Sequence, residues 1–145
     1  AVHHIHSGKI LMADRRLQRW FSAEQLRIMK EAVEDHRASA SHAPRSIYGK
    51  IVAEADRDLE PMHIFRRTVQ YGLSHYPEYS KEEQRKRFFE HLDHKYSAHG
   101  YIRLWLPNSP NTENLKVIRD MINDRSALED IFDTLFEEEK NASED

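Results

Sequence analysis

Ala32-Val33-Glu34-Asp35-His36-Arg37-Ala38-Ser39, a short passage through Pro44, and then Ser46-Ile47-Tyr48-Gly49-Lys50-Ile51-Val52-Ala53-Glu54-Ala55-Asp56-Arg57 form the stretch on which the fold turns. Just upstream, Leu26, Met29, Ala32 and Val33 recur at three-and-four spacing, the period of a helix with one apolar stripe, and His36 continues that stripe. A helix from Ala23 to His36 is therefore predicted. Downstream, Ile47, Ile51, Val52, Ala55 and Leu59 share the face of a second helix, whose turn sets Asp56 at the margin of that face beside Val52 and Leu59. Between the two, Pro44 disfavours helix at Ala43, so residues 37–45 are expected to form a loop. An imidazole closing one helix and a carboxylate inside the next, both against apolar faces, need a partner or a metal to offset their desolvation. Spacing alone leaves two readings open: a satisfied core or capping histidine with Asp56 paired to an arginine, or two ligands of one cation.

Near the start of the chain, His4, Gly8 and Leu11 lie on one helical face, with Gly8 allowing a neighbouring helix to approach closely. His4, His36 and Asp56 could thus converge from three helices. Imidazole with carboxylate suits zinc, iron, manganese or nickel, and the chain has no cysteine to offer a softer ligand. Arg37, His42 and Arg45 would sit on the rim of the loop joining two of these residues. Cations there can hold a phosphate through charge-assisted hydrogen bonds, or can simply face solvent. Lys50 and Arg57 are weaker phosphate candidates, since Glu54 and Asp58 are available to pair with them.

His4-Ile5-His6-Ser7-Gly8-Lys9-Ile10-Leu11, Ala32-Val33-Glu34-Asp35-His36 and Lys50-Ile51-Val52-Ala53-Glu54-Ala55-Asp56-Arg57 with Glu60-Pro61 behind it resemble the HD-domain superfamily of metal-dependent phosphohydrolases. In that family the ligands run in the order His, His-Asp, His, His, Asp on successive helices, and members with the two extra histidines usually hold two metals. The resemblance covers roughly the first 60 residues and implies that His4, His36 and Asp56 are metal ligands. It implies one or two divalent metals (Mn, Fe, Ni, Zn or Mg) and a small phosphorylated substrate such as a nucleotide, beside which Arg37, Arg45, Lys50 and Arg57 are the candidate phosphate-binding cations. No His-Asp dipeptide occurs in the sequence. The first histidine and the His-Asp pair, which would supply the general acid and base, are expected upstream of Ala1, so that this chain is the C-terminal part of an HD domain and holds only part of its site. Other readings are a non-catalytic interaction or regulatory module on the same scaffold, and a di-iron oxygenase using the same ligand types.

The wider composition is compatible with this. A length of 145 residues suits one all-α domain, divided into a metal-site half over 1–60, C-terminal helices over 61–136 and an acidic, fraying tail over 137–145. With 22 basic against 25 acidic residues and a net charge of -3, no global field favours a nucleic-acid polymer or a membrane. No apolar run approaches the roughly 20 residues of a membrane span, and the lack of cysteine agrees with a reducing cytoplasm. Oligomerisation stays open. Of the ten histidines, His63, His75, His91, His94 and His99 fall in polar surroundings and are expected at the surface. The run at the N-terminus is broken by Ile5 where an amphipathic helix wants an apolar residue, unlike a purification tag.

Further along, a helix to Ala13 is followed by a short turn with Leu17, Trp20 and Phe21 as core anchors. Ser22-Ala23-Glu24-Gln25 and Ser80-Lys81-Glu82-Glu83 read as capping boxes, and Ser126-Ala127-Leu128-Glu129 as the cap of a last helix. Pro61 fits a helix's first turn, ahead of Phe65, Val69, Gly72 and Leu73 on one face. Arg85, Phe88, Phe89, Leu92 and Tyr96 line one side of the next helix, and the basic cluster Lys81, Arg85, Lys86 and Arg87 is expected to be a solvated face. Tyr101 to Leu106 is the one strand-like run, and alone it is expected as an extended segment or short turn.

Overall fold

A computed structural model describes residues 3–40 and 42–142. The described residues are all-α. Seven α-helices, α1 (His3–Ala13), α2 (Ala23–Asp35), α3 (Ile47–Ala55), α4 (Pro61–His75), α5 (Lys81–Tyr96), α6 (Pro110–Asn123) and α7 (Arg125–Ala142), are joined by loops and one 3-10 turn at Leu17–Arg19. Residues 101–106 form neither helix nor strand, in keeping with the extended segment expected there. Among the described residues no helix is long and apolar enough to cross a membrane. The chain divides into two compact units, residues 1–57 with 103–109, and residues 58–102 with 110–145. Their division after Arg57 falls close to the 60/61 boundary expected within a single domain.

In the first unit, α2 packs against both α1 and α3. It starts where the sequence says: Ser22 Oγ accepts from the Gln25 amide while the Gln25 side chain accepts from the Ser22 amide, so two orphan donors are satisfied reciprocally. Leu26 and Ala32 are buried along its stripe. Two expectations fail here. Trp20 is 81% exposed and Phe21 is exposed, so neither anchors the core. In α3 the buried positions are Gly49, Ala53 and Glu54, whereas Ile47, Ile51 and Val52 face outward. The buried Glu54 explains that orientation, because its carboxylate accepts from the Trp105 amide at 3.1 Å and from the Ser109 hydroxyl, which ties segment 103–109 to this unit.

The second unit is a four-helix arrangement in which α4, α5, α6 and α7 all touch one another. Phe65, Phe88, Leu92, Ile118, Leu128, Phe132 and Leu135 are fully buried in it. Phe88 is the hub of an aromatic cluster, with ring centroids 6.1 Å from Phe65, 5.6 Å from Phe89 and 5.3 Å from Phe132. Pro61 opens α4 with Glu60 accepting from the His63 amide, and the Ser80–Glu83 capping box opens α5. The cap of α7 lies earlier than its sequence suggests. The carboxylate of Asp124 accepts from the Ala127 amide, and Ser126 is already inside the helix. The acidic stretch 137–142 is helical and forms the end of α7. Glu138 and Glu139 pair with Arg66, and Glu137 pairs with Lys81. Residues 143–145 lie outside the described residues.

Candidate functional site

The site builds from the crossing of α1 and α2. Gly8 is buried at that crossing, and a Cβ there would stand 2.9 Å from a Glu34 carboxylate oxygen, so the two helices approach as closely as the glycine allows. The approach brings the start of α1 to the end of α2. His4 and His36 have ring centroids 6.4 Å apart, and His3 joins them at 5.6 Å and 5.5 Å respectively. His36 caps α2, and its Nδ1 is 2.6 Å from the Val33 carbonyl oxygen. That oxygen can only accept, so Nδ1 carries the proton and Nε2 presents its lone pair. His4 Nδ1 is buried without a hydrogen-bond partner. Desolvation, then the Arg37 guanidinium and the rings of His3 and His36, hold the His4 imidazole below its ordinary pKa.

His3 was missed in the sequence because it sits one residue off the His4, Gly8, Leu11 face. Only the crossing with α2 gives it a neighbour.

A cleft of about 670 Å³ opens beside His4, with Glu34, Asp35, Arg37, His42 and Arg45 in its wall. Asp35, invisible to a search for ligands, is the structural centre of that wall. It is 2% exposed and accepts from Arg45 Nη2 at 2.8 Å and from the Arg45 backbone amide at 2.8 Å. Desolvation raises the Asp35 pKa, but the Arg45 hydrogen bonds and charge outweigh it and leave the carboxyl below its usual range. Arg45 also pairs with Glu34 at 2.9 Å. Its charge is therefore matched by two carboxylates, while Arg37 contributes the second guanidinium of the wall.

Asp56 is the C-cap of α3 and is exposed. Its amide bonds to the Val52 carbonyl, and its position follows from the outward turn of the α3 apolar face. Among the described residues no group of three or more His, Asp or Glu side chains is disposed to hold a metal ion. The structure therefore unites His4 and His36, adds His3, and gives Asp56 no place in a three-ligand group. Lys50 is half-buried on α3 and Arg57 is buried against Glu54 at 3.5 Å, and neither lines the cleft. Asp58, the other acid considered for pairing, contacts His63 and Arg67 instead.

No family model matches the chain, and neither a curated protein nor a solved structure does.

Proposed function

We propose that the chain is part of a metal-dependent phosphohydrolase of the HD type, acting on a phosphate ester. The observation that carries the reading is the meeting of His4 and His36, from different helices, with the His36 tautomer already set by the Val33 carbonyl. A ring nitrogen oriented by a backbone acceptor is the arrangement in which histidine ligands are held for a metal. The donor set of imidazoles fits a borderline divalent ion. Such an ion, when bound, would act as a Lewis acid and activate water. The chain's own contribution is binding and orientation. His4 and His36, with His3 beside them, offer ring nitrogens, and Arg37 offers a guanidinium to a phosphate entering the cleft, while Arg45 braces the wall through Asp35. Asp56 would join as a ligand only with rearrangement of the end of α3.

The test is calorimetric titration of the chain with manganese and with zinc, alongside His4→Ala, His36→Ala and Asp56→Ala, and a phosphatase panel run with each metal. Saturable metal binding lost in both histidine variants is expected. Equal metal uptake by wild type and His36→Ala refutes the reading.

A second reading, a helical interaction module, is favoured by one observation. Ile47, Tyr48, Ile51 and Val52 present an apolar surface on α3, and Leu11, Phe21, Met29 and Val33 line a neighbouring cleft of about 420 Å³ with Tyr48 and Val52. Metal-independent self-association of the chain, abolished by Ile51→Lys, would support it over the hydrolase.

A further inference from the structure

A second cleft lies wholly within the second unit, between α4 and α5, with a volume of about 820 Å³. Arg87, His91, His94 and Lys95 fall at helical spacing on one face of α5 and all line it, and Arg67 enters from α4. Its lining carries Arg67, Arg87 and Lys95 together with the carboxylate Glu90. This corrects the expectation that the basic residues of α5 form one solvated face. Lys81 and Arg85 are matched by Asp133, at 3.1 and 2.9 Å. Arg87 instead turns inward, donates from Nη2 to the Thr68 carbonyl, and lies 5.6 and 5.8 Å from the ring centroids of Tyr71 and Tyr76. Among the described residues no carboxylate pairs with it, and its partial desolvation, only partly offset by the tyrosines, depresses its pKa. Desolvation first, and then the charges of Lys95, Arg87 and His94, hold His91 at a pKa of about 4.

The fold has therefore fixed a guanidinium in place with backbone and aromatic contacts while leaving its charge unneutralised. Donors on two further turns of the same helix, about 10–12 Å along its axis, line the same cleft, a span that suits a molecule with a phosphate at one end and a second polar group at the other. We propose that this cleft binds a small phosphate-bearing molecule, with Arg87 as the fixed anchor for the phosphate and His94 and Lys95 meeting the rest of the ligand two turns further along. Glu90, which is 3.9 Å from Lys86, and the 3.7 Å contact of Arg67 with Asp58 temper the positive charge of the lining. The site is independent of the metal reading, since no residue of the first unit takes part.

The experiment is titration of the full chain, with EDTA present and at low ionic strength, using pyrophosphate, AMP and citrate, followed by calorimetry and by amide NMR shifts in α4 and α5. Saturable binding of pyrophosphate or AMP is expected, weakened about tenfold or more in His94→Glu and in Lys95→Glu, the loss that removing charged hydrogen bonds brings. Lys116→Glu, the charge change of Lys95→Glu placed on α6, should bind as wild type does. Arg87→Leu should abolish binding, and because that residue also touches Thr68, the two exposed-face variants carry the test if it fails to fold. A preference for AMP identifies an esterified phosphate as the ligand, and a preference for pyrophosphate identifies an inorganic one. Absence of saturable binding, wild-type affinity in both glutamate variants, equal affinity for citrate, or tighter binding of an oligonucleotide at equal phosphate overturns the proposal.

Discussion

Replacing Asp35 with asparagine tests the bracing of the candidate site most directly. The Asp35 side chain is 1% exposed, while its partner Arg45 is 44% exposed. Arg45 Nη2 and Nε reach Oδ1 at 2.8 and 3.1 Å, and the Arg45 amide reaches Oδ2 at 2.8 Å. Breaking a fully buried ion pair costs about 3–5 kcal/mol, and an exposed pair is worth only about 0.2–1 kcal/mol. With one partner buried and the other nearly half in solvent, the change lies between these limits. Asparagine keeps one acceptor oxygen but loses the charge, so a loss of about 1–2.5 kcal/mol is expected, and Asp35→Ala, which also strands the Arg45 amide, should lose about 2–4 kcal/mol. Both tryptophans, Trp20 and Trp105, belong to the first unit, so urea unfolding followed by tryptophan fluorescence reads that unit separately from the second. With a slope of about 1 kcal/mol per molar urea for so small a unit, the Asp35→Asn midpoint should fall by about 1–2.5 M. The sign with pH is also fixed. The Asp35 carboxyl titrates below its ordinary value, so its stabilisation is complete above the unfolded pKa and is lost as pH falls through the lower folded one. The asparagine variant should lack that part of the acid sensitivity. An unchanged fluorescence midpoint in Asp35→Asn, with Arg45→Met equally silent, would refute the bracing argument.

Three further predictions concern the second unit. Phe88→Ala empties the hub of the aromatic cluster and should destabilise that unit by about 3–5 kcal/mol, seen in helical circular dichroism and not in the tryptophan transition. Gly72→Ala would drive a methyl group into the Gln84 amide and to 2.7 Å from Arg87 Nη2, and should cost about 1–3 kcal/mol. It should also weaken pyrophosphate binding, because Gln84 ties the end of α4 by donating to the Gly72 and Tyr76 carbonyls. His91 has a folded pKa of about 4, below its unfolded value, so the folded state loses stability as pH falls from about 6.5 to 4. Replacing it with glutamine should flatten the denaturation midpoint over that window.

The sequence determined whatever depends on neighbours a few residues apart. Helix periodicity, the Ser22 and Ser80 capping boxes, Pro61 in the first turn of α4 and the buried face of Phe88, Leu92 and Tyr96 are local matters of spacing and backbone satisfaction, and they reappear in the structure. The closeness of His4 and His36 was also legible, through Gly8, because a residue without a side chain on a helical face marks a close crossing. Tertiary structure alone decided what each polar group meets. Periodicity names the apolar side of α3, but the buried Glu54, held by Trp105 and Ser109 some fifty residues away, turns that side outward and carries Asp56 with it. Asp35 drew no reading from its spacing and Arg87 reads as part of a solvated face, yet one is buried under Arg45 and the other is locked between Thr68 and two tyrosines. A charge's partner and its desolvation are set by the chain that folds over it, and spacing along one helix carries no record of that chain.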